Sequence, residues 1–358
     1  MPRLGLRSVV AGAALAWLVA PCGARSAQLD AFASVEAGPA SGCTFAPVFL
    51  PGDPYSGVYA IPSDGHTFVE CGFSADSGVT EDFEAAGLAS ASHTASDAKY
   101  SGGANASAAY GVLGASASGT STRAGNVSGN TAGAFGVLDD VLTITSPSQA
   151  DGASGSVVFD FAVDGTLAVE NAAWDPGTAQ LLGTAYAFAA VRVDGALANA
   201  FRANVTLFGS QPPSTIPANA PGFDATQTAT GWSFGGIAAA KSLTKLPIHF
   251  GTPFAFTAGL VVEAHPLTAS DGVPGTASAA FDGGLTLTGF EVFDAAQQPV
   301  AEFSVGAESG THYVPEADAA SDELIALAAL APCVAIARRG RNVHAGSRAP
   351  EPASAELG

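Results

Sequence analysis

The residues best suited to acid–base chemistry lie in one short cluster, Glu81-Asp82-Phe83-Glu84. Glycoside hydrolysis requires two carboxyl groups, and Asp82 and Glu84 would point to the same side of an extended strand. The cluster follows Ser77-Gly78, and a solvated acidic loop is the interpretation that we favour. One G-x-S-x-G pentad occurs, Gly231-Trp232-Ser233-Phe234-Gly235, but the body lacks the helices that a serine nucleophile of this kind requires after its strand. We therefore predict no catalytic residue and no enzymatic activity.

A metal site would need several ligands that converge in space. Glu263 and His265 would share one face of a strand, and His249 precedes the same region. Carboxylate and imidazole groups can bind zinc or copper, but an ordinary edge histidine explains this pattern more simply. The acidic turns Asp139-Asp140 and Asp151-Gly152 could hold structural calcium. We predict no cofactor and no catalytic metal, with structural calcium as the open alternative.

Two tryptophans are the candidate contacts for a glycan. Trp174 lies in Ala173-Trp174-Asp175-Pro176 and Trp232 in Gly231-Trp232-Ser233, and both surroundings are typical of turns. An exposed indole ring packs well against a sugar, but a buried one fills the end of a β-sheet core equally well. Both interpretations stay open here.

The elements that would position these residues are strands. Apolar side chains recur at every second position in residues 157–163, 254–262 and 285–288, as in half-buried strands. The 43 glycines and 22 prolines, with no long amphipathic helix between the two ends of the chain, favour an all-β fold. We predict a β-sandwich or jelly-roll-like body, with turns at four Asp-Gly pairs: Asp164-Gly165, Asp194-Gly195, Asp271-Gly272 and Asp282-Gly283.

Residues 85–135 differ from the rest because alanine, serine, glycine, threonine and asparagine dominate them. Such a segment can be a disordered linker. We favour thin strands joined by mobile loops, because Tyr110, Val112 and Leu113 are candidates for a core.

The chain is strongly acidic, with a formal net charge of −19. Of its 13 basic and 32 acidic residues, six and 26 respectively lie within residues 27–313, which gives this body a net charge of −20. A surface of this kind repels phosphate backbones and anionic membranes. Nucleic acid is therefore excluded as a partner, and contact with a membrane is expected only through the terminal signals.

Residues 1–26 have the features of a secretory signal peptide. Arg3 and Arg7 supply positive charge, an apolar run follows, and small residues precede the predicted cleavage after Ser26. Removing this segment leaves Cys43 and Cys71 in the body. An exported chain with two such cysteines is expected to form one disulfide.

The other end of the chain carries a second set of signals. Val314-Pro315-Glu316 precedes a polar spacer, an apolar stretch at residues 324–337 and a basic cluster of Arg338, Arg339 and Arg341. This order resembles the PEP-CTERM sorting tail. The resemblance implies an exosortase-like protease-transpeptidase as partner and a short membrane helix within residues 314–341. Residues 342–358 form a polar tail, and an ordinary amphipathic C-terminal helix is the alternative.

The segment before this tail also resembles the closing part of PEP-CTERM exported proteins. It contains Leu285-Thr286-Leu287, then Val292-Phe293-Asp294, and ends in Ser309-Gly310-Thr311-His312-Tyr313. No chemistry is implied by this resemblance. It places the end of the body, predicted at residues 27–313, directly before the sorting signature.

These observations favour a non-enzymatic protein that is exported to the cell surface or the extracellular space. It would be a structural or adhesive component of an exopolysaccharide or biofilm matrix, held briefly in the membrane by its C-terminal helix. The alternative is a carbohydrate-binding or glycan-hydrolysing β-sandwich with Trp174 or Trp232 in its cleft.

Overall fold

A computed structural model describes residues 27–37, 78–84, 87–123, 130–177, 181–208, 210, 212, 214–216, 222–268 and 272–313. All of them belong to one compact unit, which ends at Pro315. The predicted signal peptide, Cys43, Cys71 and the sorting tail from Val314 onward lie outside these residues. The export, disulfide and sorting hypotheses therefore stay predictions.

The described residues form an all-β protein with two antiparallel sheets and no helix among them. The strands in chain order are β1 (Gln28–Ala37), β2 (Gly78–Glu84), β3 (Ala89–Ser96), β4 (Tyr100–Ala109), β5 (Val112–Ser121), β6 (Asn130–Thr145), β7 (Ser154–Asn171), β8 (Leu181–Val193), β9 (Ala196–Phe208), β10 (Ser214–Ile216), β11 (Phe223–Gln227), β12 (Gly231–Lys241), β13 (Leu246–His249), β14 (Phe254–Pro266), β15 (Gly275–Asp294) and β16 (Ser304–Ala307).

Each sheet has eight strands. Sheet A has the order β10-β9-β8-β14-β6-β1-β2, with β16 paired to β6. Sheet B has the order β11-β12-β7-β15-β5-β4-β3, with β13 paired to β7. Strands of one sheet contact strands of the other, as β1 does with β3 and β4, and one core cluster takes residues from both.

The predicted period of two is confirmed in the central strands. In β7 the four alternating residues Val157, Phe159, Phe161 and Val163 are all buried in the core. Phe159 stacks on Phe256 of β14 with ring centroids 4.6 Å apart, so this contact joins sheet B to sheet A. Aromatic packing between the sheets therefore forms the middle of the molecule.

The segment rich in small residues is confirmed as strands over most of its length. It supplies β3, β4, β5 and the beginning of β6, whose inward-facing residues are mainly alanines. Leu113 is buried and Tyr110 packs against the core, as expected. Val112 is 41% exposed, so its prediction as a core residue is wrong. It directly follows the Tyr110-Gly111 turn, and its side chain points away from the core.

The Asp-Gly pairs have different structural roles. Asp194-Gly195 is a turn between β8 and β9, with positive φ at both residues. The predicted turn at Asp164-Gly165 is wrong because β7 continues through it to Asn171. Asp282-Gly283 is also within a strand, at a register shift of β15 between Phe281 and Leu285. For Asp271-Gly272, only Gly272 is described; it is in a turn with positive φ.

A substitution at Gly165, with Gly283 as its control, tests whether β7 continues through Asp164-Gly165. A Cβ atom at Gly165 would overlap the ring of Phe281, whereas one at Gly283 would have open space around it. We expect Gly165→Ala to lower the free energy of unfolding by about 1–3 kcal/mol, because the core must shift to admit the methyl group. Gly283→Ala should stay within about 0.5 kcal/mol of wild type. Urea unfolding of both variants checks this, and equal effects would contradict it.

The outer face of sheet A contains a row of buried apolar residues. On sheet A, a cross-strand row of Phe32, Phe135, Val261 and Phe188 lies on the face opposite the shared core, and all four are buried. Phe188 is only 1% exposed. Part of sheet A is therefore apolar on both faces, which explains the continuous apolar run from Ala258 to Val262 in β14.

The described residues contain no helix with the length and apolar character needed to cross a membrane.

Candidate functional site

The acidic cluster belongs to a strand. Residues 81–84 are the end of β2, so the prediction of a solvated loop is wrong. Asp82 and Glu84 share one face of β2, since they pair with Ala31 and Leu29 of β1. The Asp82 Oδ2 atom accepts a hydrogen bond of 2.7 Å from the backbone N–H of Ser90, in sheet B. Asp82 therefore connects the edge strands of the two sheets.

The structure separates the candidate metal ligands. Glu263 and His265 lie together on the outer face of sheet A, within β14. His249 ends β13, which pairs with β7 in sheet B. Among the residues that the structure describes, no group of three or more histidine, cysteine, aspartate or glutamate side chains is placed to hold a metal ion.

The two tryptophans lie near the same end of β7. Trp232 pairs with Val169 of β7, and its side chain is 9% exposed and belongs to the core cluster. Trp174 follows Asn171 in a turn, is half-buried and packs against the core. Of the two, Trp174 is therefore the better placed to meet a sugar at the surface. The glycan-contact hypothesis stays a prediction for both.

Asp140 accepts four hydrogen bonds. It lies in β6, so the prediction of an acidic turn at Asp139-Asp140 is wrong, whereas Asp151-Gly152 is a turn. Its oxygens accept hydrogen bonds from the Ser309 hydroxyl at 2.6 Å, the Ser309 N–H at 3.2 Å, and the Tyr313 hydroxyl at 3.0 Å. The N–H of Val141 donates a fourth, at 2.8 Å. We call Asp140, Ser309 and Tyr313 the C-terminal clasp.

The clasp has a clear electrostatic basis. Burial and the nearby charge of Asp140 raise the pKa of the Tyr313 hydroxyl above its ordinary value. The phenol therefore stays protonated and acts as the donor to the carboxylate. The Tyr313 ring also packs edge-on against Phe256 and Phe290, at centroid distances of 6.5 and 5.9 Å. The last described residue is thus fixed to both sheets.

Sequence reasoning identified both halves of the clasp but not their contact. Asp140 was singled out as an acidic residue, and Ser309 and Tyr313 belong to the segment that resembles the end of PEP-CTERM proteins. The two halves are about 170 residues apart in the chain, and only the pairing of β16 with β6 brings them together. No local pattern indicates that pairing.

The outer face of sheet B carries a polar surface that spans four strands. Hydroxyl and amide side chains of β3, β4, β5 and β15 project from it, while the alternating alanines enter the core. We call this surface the hydroxyl face. It consists of Ser90, Ser92, Thr94, Ser96, Ser101, Asn105, Ser107, Ser116, Ser118, Thr120, Thr276 and Ser278.

The hydroxyl face is regular because the strands beneath it are in register. Thr94 pairs with Gly103, Gly103 with Ser118, and Ser118 with Ser278, which gives a row across four strands. Because Gly103 has no side chain, a shallow groove of about 430 Å³ lies between Thr94 and Ser118 on this face. Hydroxyl groups both donate and accept hydrogen bonds, so the groove is suited to a polar, uncharged ligand.

Charged groups of sheet B border this face, since Glu170 of β7 pairs with Thr276 and β15 also carries Asp282 and Glu291. Lys241 of β12 forms ion pairs with Asp160 of β7, at 3.0 Å, and with Glu291 of β15. Burial lowers the pKa of Lys241, but the hydrogen bonds to Glu291 and Asp160 outweigh it, so the pKa is raised. Strands β3, β4 and β5 contain no aspartate, glutamate, lysine or arginine. The hydroxyl face is therefore mostly free of charge on a body that is strongly anionic.

Comparison of the whole chain with known proteins does not assign these sites. No family model matches the chain, and neither a curated protein nor a solved structure matches it. The family of this chain is therefore not shown, and its function has to be argued from the described residues and from the motifs at its ends.

Proposed function

We propose that this protein is a non-enzymatic, secreted or surface-anchored component of an exopolysaccharide or biofilm matrix, with a structural or adhesive role. The observation that carries the proposal is the hydroxyl face, which presents an extended polar surface over four strands. Long polysaccharides are bound along such surfaces by many weak hydrogen bonds. A single deep pocket is not needed for this kind of adhesion.

We classify the body as a β-sandwich of the jelly-roll-like type. Two sheets of eight strands share a core, and the strands of each face those of the other. Such an architecture gives a rigid scaffold on which a flat surface keeps its shape. Rigidity supports adhesion because little side-chain freedom is lost when short serine and threonine side chains are immobilised.

The C-terminal clasp supports the sorting part of the proposal. It fixes Tyr313 to the body, and the Val314-Pro315-Glu316 signature begins at the next residue. An exosortase-like enzyme would then meet its signature directly beside a folded body. Anchoring through this end would leave the hydroxyl face available to the matrix.

A glycan-binding or glycan-hydrolysing protein is the second candidate. The half-buried position of Trp174 in the turn after β7 favours it, because an indole ring at the surface can stack on a sugar. Retention on polysaccharide beads and turnover of a glycan panel separate the two candidates. Loss of retention in Trp174→Ala alone, with measurable turnover, would favour the second.

The main experiment compares deletion of residues 314–358 with single alanine substitutions in the native host. The deletion should abolish surface retention, because it removes the sorting signature but leaves the clasp. Alanine at Glu81, Asp82, Glu84, His249, Glu263 or His265 should leave biofilm formation nearly intact. Surface fractionation and biofilm mass are the measurements. A single substitution that removes the phenotype in a folded, correctly placed protein would reveal an active site and overturn the proposal.

The role of the hydroxyl face is tested by adding charge to it. Ser118→Glu places a carboxylate at the centre of the face, and Thr226→Glu adds the same charge at an exposed position of β11, at the opposite edge of sheet B. Retention on the host polysaccharide should fall in Ser118→Glu and stay near wild type in Thr226→Glu. Equal retention of both variants would remove the hydroxyl face from the proposal.

A further inference from the structure

The four outermost strands of the two sheets are protected to different degrees. An exposed sheet edge pairs with other chains unless it is short, charged or interrupted. In sheet A, β10 has only three residues and β2 carries Glu81, Asp82 and Glu84. In sheet B, β11 has five residues, one of them Asp224. The remaining edge strand, β3, has eight residues with no proline, no lysine, no arginine and no acidic residue.

The register of β3 shows that it is also a regular strand. It pairs with β4 over all eight residues without a bulge, and its burial alternates along most of its length. Among the described residues, no strand pairs with it on the other side. A regular edge of eight residues without acidic or basic side chains is a template for a further strand.

One hydrogen bond shows which backbone groups face outward. The N–H of Ser90 points away from β4, since it donates to Asp82 of sheet A. Backbone groups two residues apart on a strand point in the same direction, so those of Ser92 and Thr94 also face the edge. The side chains of Ser92, Thr94 and Ser96 are exposed. Asp82 therefore covers the beginning of the edge, and the part from Ser92 to the end of β3 is left for pairing.

Electrostatics favours the same place for contact between two copies. Bodies with a net charge of −20 repel each other over most of their surface, and only an uncharged region lets them approach closely. Strands β3, β4 and β5 are such a region. The nearest charges are Asp82 beside the beginning of β3, Lys99 in the β3–β4 turn, and the ion pair of Arg123 with Asp97.

We propose that the β3 edge pairs with the β3 edge of a second copy of this chain. An antiparallel, twofold arrangement centred near Thr94 would join the two B sheets into one. The hydroxyl face would then extend across both copies and double in width. The biological use of this dimer rests on the proposed matrix function, but the pairing itself does not depend on it.

The test uses the full chain and two pairs of matched variants. Thr94→Pro removes an N–H that points to the edge and is not needed within sheet B, whereas Thr94→Ala retains it. Ser92→Lys places a charge on the edge strand, and Thr166→Lys places the same charge on β7. Sedimentation velocity over a range of concentrations gives the dissociation constant, and far-ultraviolet circular dichroism verifies folding.

We expect the wild type to form a dimer that Thr94→Pro and Ser92→Lys each weaken by about tenfold or more, which corresponds to about 1.4 kcal/mol. Thr94→Ala and Thr166→Lys should remain within about twofold of wild type. A monomeric wild type at all concentrations overturns the proposal, as does an equal effect of Ser92→Lys and Thr166→Lys. If Thr94→Pro fails to fold, the lysine pair decides alone. Polysaccharide retention is measured separately, so failure of the matrix function is distinguishable from failure of the dimer.

Discussion

Replacing Phe159 with alanine is expected to lower the free energy of unfolding by about 3–5 kcal/mol. The Phe159 side chain is fully buried, stacks on Phe256 of the opposite sheet at 4.6 Å, and meets Phe290 edge-on at 5.4 Å. Alanine would leave a cavity between the sheets and remove both aromatic contacts. Equilibrium unfolding in urea, monitored by fluorescence and circular dichroism, measures the loss.

The control for this prediction is an apolar residue outside the core. Ile237 of β12 is 66% exposed, so Ile237→Ala should change the unfolding free energy by no more than about 0.5 kcal/mol. Phe159→Leu should fall between the two, because it retains much of the buried volume. A loss below about 1 kcal/mol in Phe159→Ala would mean that the two sheets do not share this core.

Asp140→Ala is expected to lower the free energy of unfolding by about 3 kcal/mol, the second largest effect. The substitution leaves the Ser309 and Tyr313 donors without their acceptor in a buried site, and unsatisfied groups of this kind cost about 1–3 kcal/mol each. Residues 304–313 should also lose protection from hydrogen exchange. Urea unfolding and exchange measured by mass spectrometry provide the two readouts.

Asp139→Ala is the matched control, since Asp139 is the preceding residue and accepts a hydrogen bond from Thr257 on the other side of β6. It should cost about 1 kcal/mol and leave residues 304–313 protected. Tyr313→Phe should cost a similar amount. An equal loss of hydrogen-exchange protection at residues 304–313 in Asp139→Ala and Asp140→Ala would contradict the stabilising role of the C-terminal clasp.

The stabilisation by the C-terminal clasp is expected to weaken at high pH. The pKa of Tyr313 is raised in the folded state above the value of about 10 that an unfolded tyrosine has. Below pH 10, the Tyr313 hydroxyl therefore contributes fully to the free energy of unfolding. The contribution decreases as the pH rises above 10, because the unfolded chain then releases a proton that the folded chain retains. The difference in stability between wild type and Tyr313→Phe should accordingly shrink above pH 10.

The strands that alternate apolar and polar residues could be predicted from sequence because that pattern is local. In β7, the positions from Val157 to Val163 needed only the period of two. The turn signals were less reliable. Asp164-Gly165 has the composition of a turn, but its glycine is required because the strand passes closely beneath Phe281, which lies more than a hundred residues later. No short motif carries that information.

The hydroxyl face shows a related limit. Serine, glycine and alanine have weak strand preference, so the composition of residues 85–135 was compatible with both a linker and strands. Pairing with distant partners decides between them, as when Ser118 of β5 aligns with Ser278 of β15. The candidate site could therefore be predicted as polar, but not as one continuous surface.

The order of strands in sheet A has a consequence for how fast this protein folds. Strand β1 pairs with β6, so Gln28 meets Asp139, and β6 in turn pairs with β14 and with β16, so Thr145 meets Ser304. Contacts between residues so far apart in the chain make folding slow. Closing a long loop costs entropy before the paired strands can stabilise the chain. Strand β1 is synthesised before β6 and cannot complete its pairing with β6 until residue 139 has followed, and β16 of sheet A ends only at residue 307. A chain with this topology stays unfolded for longer than one built from local hairpins.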